Sequence, residues 1–196
     1  MTTSSLVRVA LFAALIAVLG LIPRIDIPFA AGVPITAQTL GVMLAGLLLG
    51  PRLGAIAVLL FLFAVALGAP VLSGGRGGLG VFFGPTVGFL VGWVIGAWVC
   101  GWLFVVLKRS LRQPMVRGLL ACWVGGIAVI YLPGIVGLAL VAGLPLQKAA
   151  LAALVFLPGD ILKSILAAWI VVRLQSKALD NRLGNSSGNP PPNPQP

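Results

Sequence analysis

Apolar residues run in long unbroken stretches along this chain, and polar residues are confined to short breaks between them. Six stretches stand out, at residues 6–22, 37–49, 53–67, 85–107, 118–142 and 158–174. Strands of a membrane barrel would alternate apolar and polar positions. Continuous runs studded with small residues instead predict helices, which satisfy their own backbone groups in lipid. The expected fold class is therefore all-α and polytopic, with six transmembrane helices. Segments 37–49 and 53–67 are each shorter than the ~20 residues of a simple span. Residues 50–54, with Gly50, Pro51 and Gly54, have the composition of a tight turn between them. Residues 146–157 are apolar after Gln147 and Lys148, which fits either a short interfacial helix or the first half of a longer sixth span. Segment 6–22 reads as a first membrane helix rather than a cleaved signal, because Pro23 and Arg24 follow it where a small-x-small site would be needed. The tail, 175–196, turns basic and then Pro-rich, and residues 185–196 are expected to be disordered.

Composition agrees with membrane embedding. The 196 residues are 60% hydrophobic and 8% charged, where a soluble domain carries about 25% charged residues. Histidine and glutamate are absent and there are only two cysteines, Cys100 and Cys122. That removes most metal sites, His-based acid–base chemistry and any disulfide framework, so no metal and no cofactor is expected. Both cysteines fall in apolar segments and read as small buried hydrophobes.

The net charge of +10 does not point to nucleic acid, because the cations sit between apolar spans. With the N-terminus inside, Arg8, Arg52, Lys108, Arg109, Arg112, Arg117, Arg173, Lys177 and Arg182 fall on the cytoplasmic side. Only Arg24, Arg76 and Lys148 fall outside, and Lys163 is left in the membrane. This positive-inside bias puts both termini in the cytoplasm.

The outer connections are long and irregular. Residues 23–36 are Pro-rich, and six glycines (74, 75, 77, 78, 80 and 84) crowd the second connection. Irregular backbone at membrane depth persists only where protein or a wet cavity satisfies it, so a ligand site belongs on that side. Three segments also begin there with a proline just ahead of polar residues: Pro34 before Thr36 and Gln38, Pro85 before Thr86, and Pro158 before Asp160. Proline suits a first helical turn. Three helix N-termini would aim unpaired N–H groups and positive dipole ends at one outer pocket, a pattern of transporter substrate sites. Gly74, Gly75, Gly77 and Gly78 read as a compact lid rather than a phosphate loop, since no G-x-x-x-x-G-K-[ST] pattern is present. Arg76 within the lid fits a ligand carboxylate, and a solvated loop arginine fits equally.

Asp160 and Lys163 lie in the apolar stretch 154–166. An ionised side chain in that setting costs several kcal/mol unless it is paired or faces a cavity. Three residues apart, the two share a helix face. They fit either a self-neutralising internal pair or a hydrogen-bonding dyad for a ligand. For a catalytic dyad, the nucleophile, histidine or metal cluster that should accompany it is missing, so no catalytic residue is assigned and no enzyme is expected. On the first helix, Ala10 with Ala14 and Ala13 with Ala17 give small-x-x-x-small pairs that permit close helix packing.

These residues resemble the BioY family, the biotin-specific substrate-capture (S) components of energy-coupling-factor (ECF) vitamin transporters. The similar stretches are VPITAQTLGVMLAGLLLGPRLGA (33–55), GGRGGLGVFFGPTVGFLVG (74–92) and FLPGDILK (156–163), in the family's order. The resemblance implies a six-helix S-component fold with a biotin pocket near the outer face. It also implies a transmembrane coupling subunit and a pair of cytoplasmic ATPases as partners, within membrane lipid. The family's acid and lysine in PGDxxK correspond to Asp160 and Lys163, which would hold polar groups of biotin. Ala10 and Ala14 would dock the coupling subunit. Val87, Gly88 and Phe89 stand where the family pattern leads one to expect a second glycine and a tyrosine, so a hydroxyl is missing at that point. Thr36, Gln38, Arg76 and Thr86 complete the expected binding residues, with Phe82, Phe83 and Trp93 as apolar walls. Two other readings stay open: an S component for a different vitamin, and a small intramembrane enzyme using Asp160 and Lys163.

Overall fold

A computed structural model describes residues 2–23 and 36–187, with side chains up to residue 177. Arg24, Asp26, Pro34 and most of the first outer connection lie outside the described residues, as does the Pro-rich tail from 188 onward. Among the described residues the architecture is helical throughout: α1 (Thr3–Gly20), α2 (Gln38–Leu49), α3 (Pro51–Ala66), α4 (Val87–Val106), α5 (Pro114–Ala121), α6 (Val129–Ala142), α7 (Leu146–Leu154) and α8 (Leu157–Ser187). A short 3₁₀ helix, Leu79–Phe83, precedes α4. The sole extended pairing among the described residues is a bridge between Leu72 and Arg76.

Three continuous helices are long and apolar enough to cross a membrane: Thr3–Gly20, Val87–Arg109 and Pro114–Ala142, of 18, 23 and 29 residues. A fourth crossing arises if α7 and α8 count together, although they meet at a 48° bend. Of the stretch 146–157, residues Leu146–Leu154 form a short helix of their own, set off from α8 by that bend, and both expectations for it stay open. Helix α8 does not stop at 174 but continues to Ser187, so residues 185–187, expected to be disordered, are helical.

The expected fifth segment is one helix with a defect. Between α5 and α6, Cys122–Ala128 winds as a π-helical turn, and Pro133 follows inside α6. A π turn widens a helix and reaims the residues beyond it. Here it brings Gly125 against Cys100 of α4 and Gly126 against Met43 of α2. Cys100 and Cys122 are both fully buried, with sulfurs 3.9 Å apart, and serve as packing residues.

Helix α4 is the hub, packed along α6, α3 and α2. The reason is a glycine row, since a Cβ on Gly92 would sit 2.7 Å from the Ile130 carbonyl and one on Gly96 2.6 Å from that of Gly125. Without side chains along this row the two backbones come close enough for dispersion contacts to hold them, the main cohesive force between helices in lipid. Large apolar side chains such as Leu11, Phe63, Leu140 and Leu162 point outward around the bundle, as a lipid-facing surface requires.

Candidate functional site

At one end of the bundle the N-termini of α2, α4 and α8 converge with the loop between α3 and α4 on a cavity of about 580 Å³, counted out to its open mouth. All six residues expected to bind a substrate line it: Thr36, Gln38, Arg76, Thr86, Asp160 and Lys163. The convergence of three N-termini does not, however, leave a bare ring of backbone donors. Gln38 N–H donates to Thr36 Oγ1, Val87 N–H to Gly84 O, and Asp160 N–H to Phe156 O. The polar character of the cavity is therefore carried by side chains.

Its centre is a four-residue network drawn from three helices. Asp160 is 3% exposed. Its Oδ1 accepts from Lys163 Nζ at 2.8 Å and from Thr39 Oγ1 at 2.9 Å, and its Oδ2 accepts from the Tyr131 hydroxyl at 2.7 Å. Lys163 Nζ also donates to Thr39 Oγ1 at 3.1 Å. The expected helix-face pairing of Asp160 and Lys163 is thus present, and it also opens onto the cavity. Buried charge is tolerated here because each charge is compensated and hydrogen-bonded. A carboxylate can accept about four hydrogen bonds and an ammonium can donate three. Each group consequently keeps spare capacity, Asp160 as acceptor and Lys163 as donor.

Thr39 and Tyr131 were not singled out from the sequence. Tyr131 is the single tyrosine of the chain, and a buried tyrosine hydroxyl needs a partner, which is the signal that could have found it. Its ring meets Phe89 edge-on at 6.3 Å between centroids, and Phe89 meets Phe156 in the same manner. Phe89, which carries no hydroxyl, packs its ring against the tyrosine that supplies one to Asp160. Thr39 lies one residue beyond Gln38 and was obscured by it.

Gln38 is fully occupied in holding the site together. Its Nε2 donates to Ile16 O and Val71 O, both at 3.1 Å, and its Oε1 accepts from Ser73 N–H at 3.0 Å. Besides lining the cavity, Gln38 is thus a rivet joining α1, α2 and the glycine-rich loop. Gly20 permits this, since a Cβ there would collide with Val71 O and the Gln38 amide.

The loop itself is ordered by the two backbone hydrogen bonds between Leu72 and Arg76, by Gly78 N–H donating to Val65 O, and by Arg76 Nε donating to Ser73 O. Gly74, Gly75 and Gly78 adopt positive φ, and the collision of a Cβ on Gly77 with Ala69 O explains the fourth. These glycines shape the turn without lining the cavity, and Leu72, Ser73 and Arg76 form the wall. Ser73 Oγ is buried and has no partner. Thr86, also buried, makes no capping bond with its side chain. Buried hydroxyls of this kind are normally satisfied, and both face the cavity. Of the apolar walls expected, Trp93 lines the cavity but Phe82 and Phe83 do not, and Phe83 is 80% exposed. The remaining wall is built by Phe89, Leu90, Ile130 and Phe156.

Ala10 and Ala14 lie on the exposed face of α1, together with Leu6, Val7 and Leu11, whereas Ala13 is buried and Ala17 partly so.

Comparison with known proteins agrees with the helical fold. Residues 1–180 match the model of the BioY family. The chain is 53% identical over 173 residues to a biotin transporter BioY of Rhizobium etli, covering 87% of this chain and 92% of that protein. It is 46% identical over 172 residues to a biotin transporter BioY of Rhodobacter capsulatus, covering 83% and 88%. Among solved structures it superposes on the S component for biotin from an ECF-type ABC transporter with a TM-score of 0.81 and 34% identity, covering 90% of this chain and 95% of that one. The chain belongs to the BioY family.

Proposed function

We propose that this chain is the substrate-capture subunit of an ECF-type transporter, binding biotin from the outer side of the cell membrane and delivering it inward with an ATP-driven module. The observation that carries this reading is the Asp160–Lys163–Thr39–Tyr131 network set in an otherwise apolar cavity. Biotin combines a ureido ring, with N–H donors and a carbonyl, with a thioether ring and an aliphatic chain ending in a carboxylate. Asp160 accepts from a ureido N–H and Lys163 donates to the ureido carbonyl. Phe89, Trp93 and Phe156 enclose the rings. Ser73, Thr86 and Arg76, closer to the glycine-rich loop, take the carboxylate, and that loop covers the mouth. Relatives of this chain are transporters rather than enzymes, and the dyad binds its ligand without transforming it.

Six spans follow when α2 and α3 are counted with α1, α4, α5–α6 and α8. Helix α2 leads from the pocket at Gln38 to Gly50, which lies against Gly101 near the far end of α4. The short hairpin therefore traverses most of the bundle. Arg52, Lys108, Arg109 and Arg112 lie at that far end, so the positive-inside rule puts it, and both termini, in the cytoplasm. The exposed face around Ala10 and Ala14 docks the coupling subunit, and a pair of ATPases completes the assembly.

The test is to incubate the purified chain with biotin, thiamine and riboflavin together, wash, extract the bound fraction and identify it by mass spectrometry. Recovery of unaltered biotin alone is expected. Retention of another vitamin, or of a converted product, would overturn the assignment.

A further inference from the structure

The end of the molecule opposite the pocket holds a buried cation with no counter-charge among the described residues. Arg117, in the first turn of α5, is 6% exposed. Its guanidinium lies over the Phe104 ring of α4, 4.5 Å from the centroid. That contact is not a hydrogen bond and does not use up the N–H donors of the group. Arg117 Nε is buried without a hydrogen-bond partner, and no ion pair reaches this side chain among the described residues. The acid with a described side chain, Asp160, is at the far end of α8. Asp180 lies about three turns beyond Ala168, the residue that packs on Gly118, and so roughly 18 Å along the axis. A guanidinium held this way is unfavourable unless an anion completes it.

The surroundings suit one. Helix α5 starts with Pro114, which has no N–H, and has no side-chain cap, and Arg117 N–H donates to Gln113 O, so the N–H groups of Met115 and Val116 lack helical partners and carry the positive end of the dipole. This helix continues through the π turn as 29 residues. Exposed Lys108, Arg109 and Arg112 occupy the connection leading into it. An arginine fork, free backbone donors and flanking cations at the membrane face together form a site for a tetrahedral oxyanion. Basic pockets between helices at the cytoplasmic face hold anionic lipid headgroups for the same reason.

We propose that the first turn of α5, centred on Arg117, binds the phosphate of an anionic phospholipid on the membrane face opposite the ligand pocket. The full chain, purified in detergent and stripped of lipid, is melted with added dioleoylphosphatidylglycerol, dioleoylphosphatidylcholine or inorganic phosphate, alongside Arg117→Gln and Arg117→Lys. The phosphatidylglycerol arm is expected to raise the melting temperature of the wild type by several degrees and to leave Arg117→Gln unmoved. Arg117→Lys should keep part of the rise, and biotin affinity should be the same in all three. A comparable rise with inorganic phosphate would keep the phosphate site but make free phosphate its source. Equal responses of wild type and Arg117→Gln, or no response of the wild type to any arm, would overturn the proposal. If Arg117→Gln does not fold, native mass spectrometry of the wild type from mixed lipid decides. Selective retention of phosphatidylglycerol supports the site, and retention without preference contradicts it.

Discussion

At the scale of single residues, the site depends on satisfying a buried acid from three directions. Asp160→Asn keeps the shape but turns an acceptor of three hydrogen bonds into an amide that Lys163 and Tyr131 address less well. Biotin affinity should fall by roughly 1–3 kcal/mol, measured by titration of the purified variant. Tyr131→Phe keeps the edge-on stack with Phe89 and removes only the hydroxyl. It should lower the melting temperature and weaken biotin less than Asp160→Asn does, since Lys163 and Thr39 still hold the carboxylate. Gln38→Leu is expected to behave differently: it strands Ile16 O, Val71 O and Ser73 N–H, at about 1–3 kcal/mol for each buried group left unpaired. Thermal unfolding without ligand should show that loss, which a residue serving only the ligand would not produce. Asp160 and Lys163 could be read from the chain because charge in an apolar stretch is conspicuous. Thr39 and Ser73 could not, because a hydroxyl is ordinary in a helix or a loop until its neighbours are known. Gln38 was legible as polar and important, but its role depended on partners 22 to 35 residues away in sequence.

At the scale of elements, the apolar runs predicted helices well because burial in lipid leaves the backbone little alternative. The interruptions were harder to read. A π turn at Cys122–Ala128 leaves no gap in an apolar run, and the bend between α7 and α8 falls within one. Proline also proved less specific than its placement suggested. Pro51 and Pro114 start α3 and α5 at the opposite end of the bundle, so proline marks helix starts, and the polar residues after it mark the pocket. The α4–α6 seam depends on glycine. Gly92→Val should prevent close packing, because the Ile130 carbonyl occupies the space the side chain needs. Loss of the monodisperse peak in size-exclusion chromatography would show this, whereas Gly80→Ala, in open space, should be silent.

At the scale of the whole molecule, one end carries an apolar cavity with a polar network at its centre and the other a collar of cations, and the helices between them are apolar outside. That asymmetry is the basis of the orientation proposed above. With single cysteines placed at Gly75 and Ser110, a membrane-impermeant maleimide applied to intact cells should label the first and spare the second. The reverse pattern would invert the topology. No nucleotide-binding motif occurs in the chain, and the proposed function assigns the energy for release to a partner docked on the exposed small-residue face of α1. The central claim is that the cavity around Asp160 binds biotin. Isothermal titration of the purified chain with biotin tests it most directly: the account predicts tight 1:1 binding, markedly weakened in Asp160→Asn, and no heat with thiamine or riboflavin, whereas a flat biotin titration would contradict it.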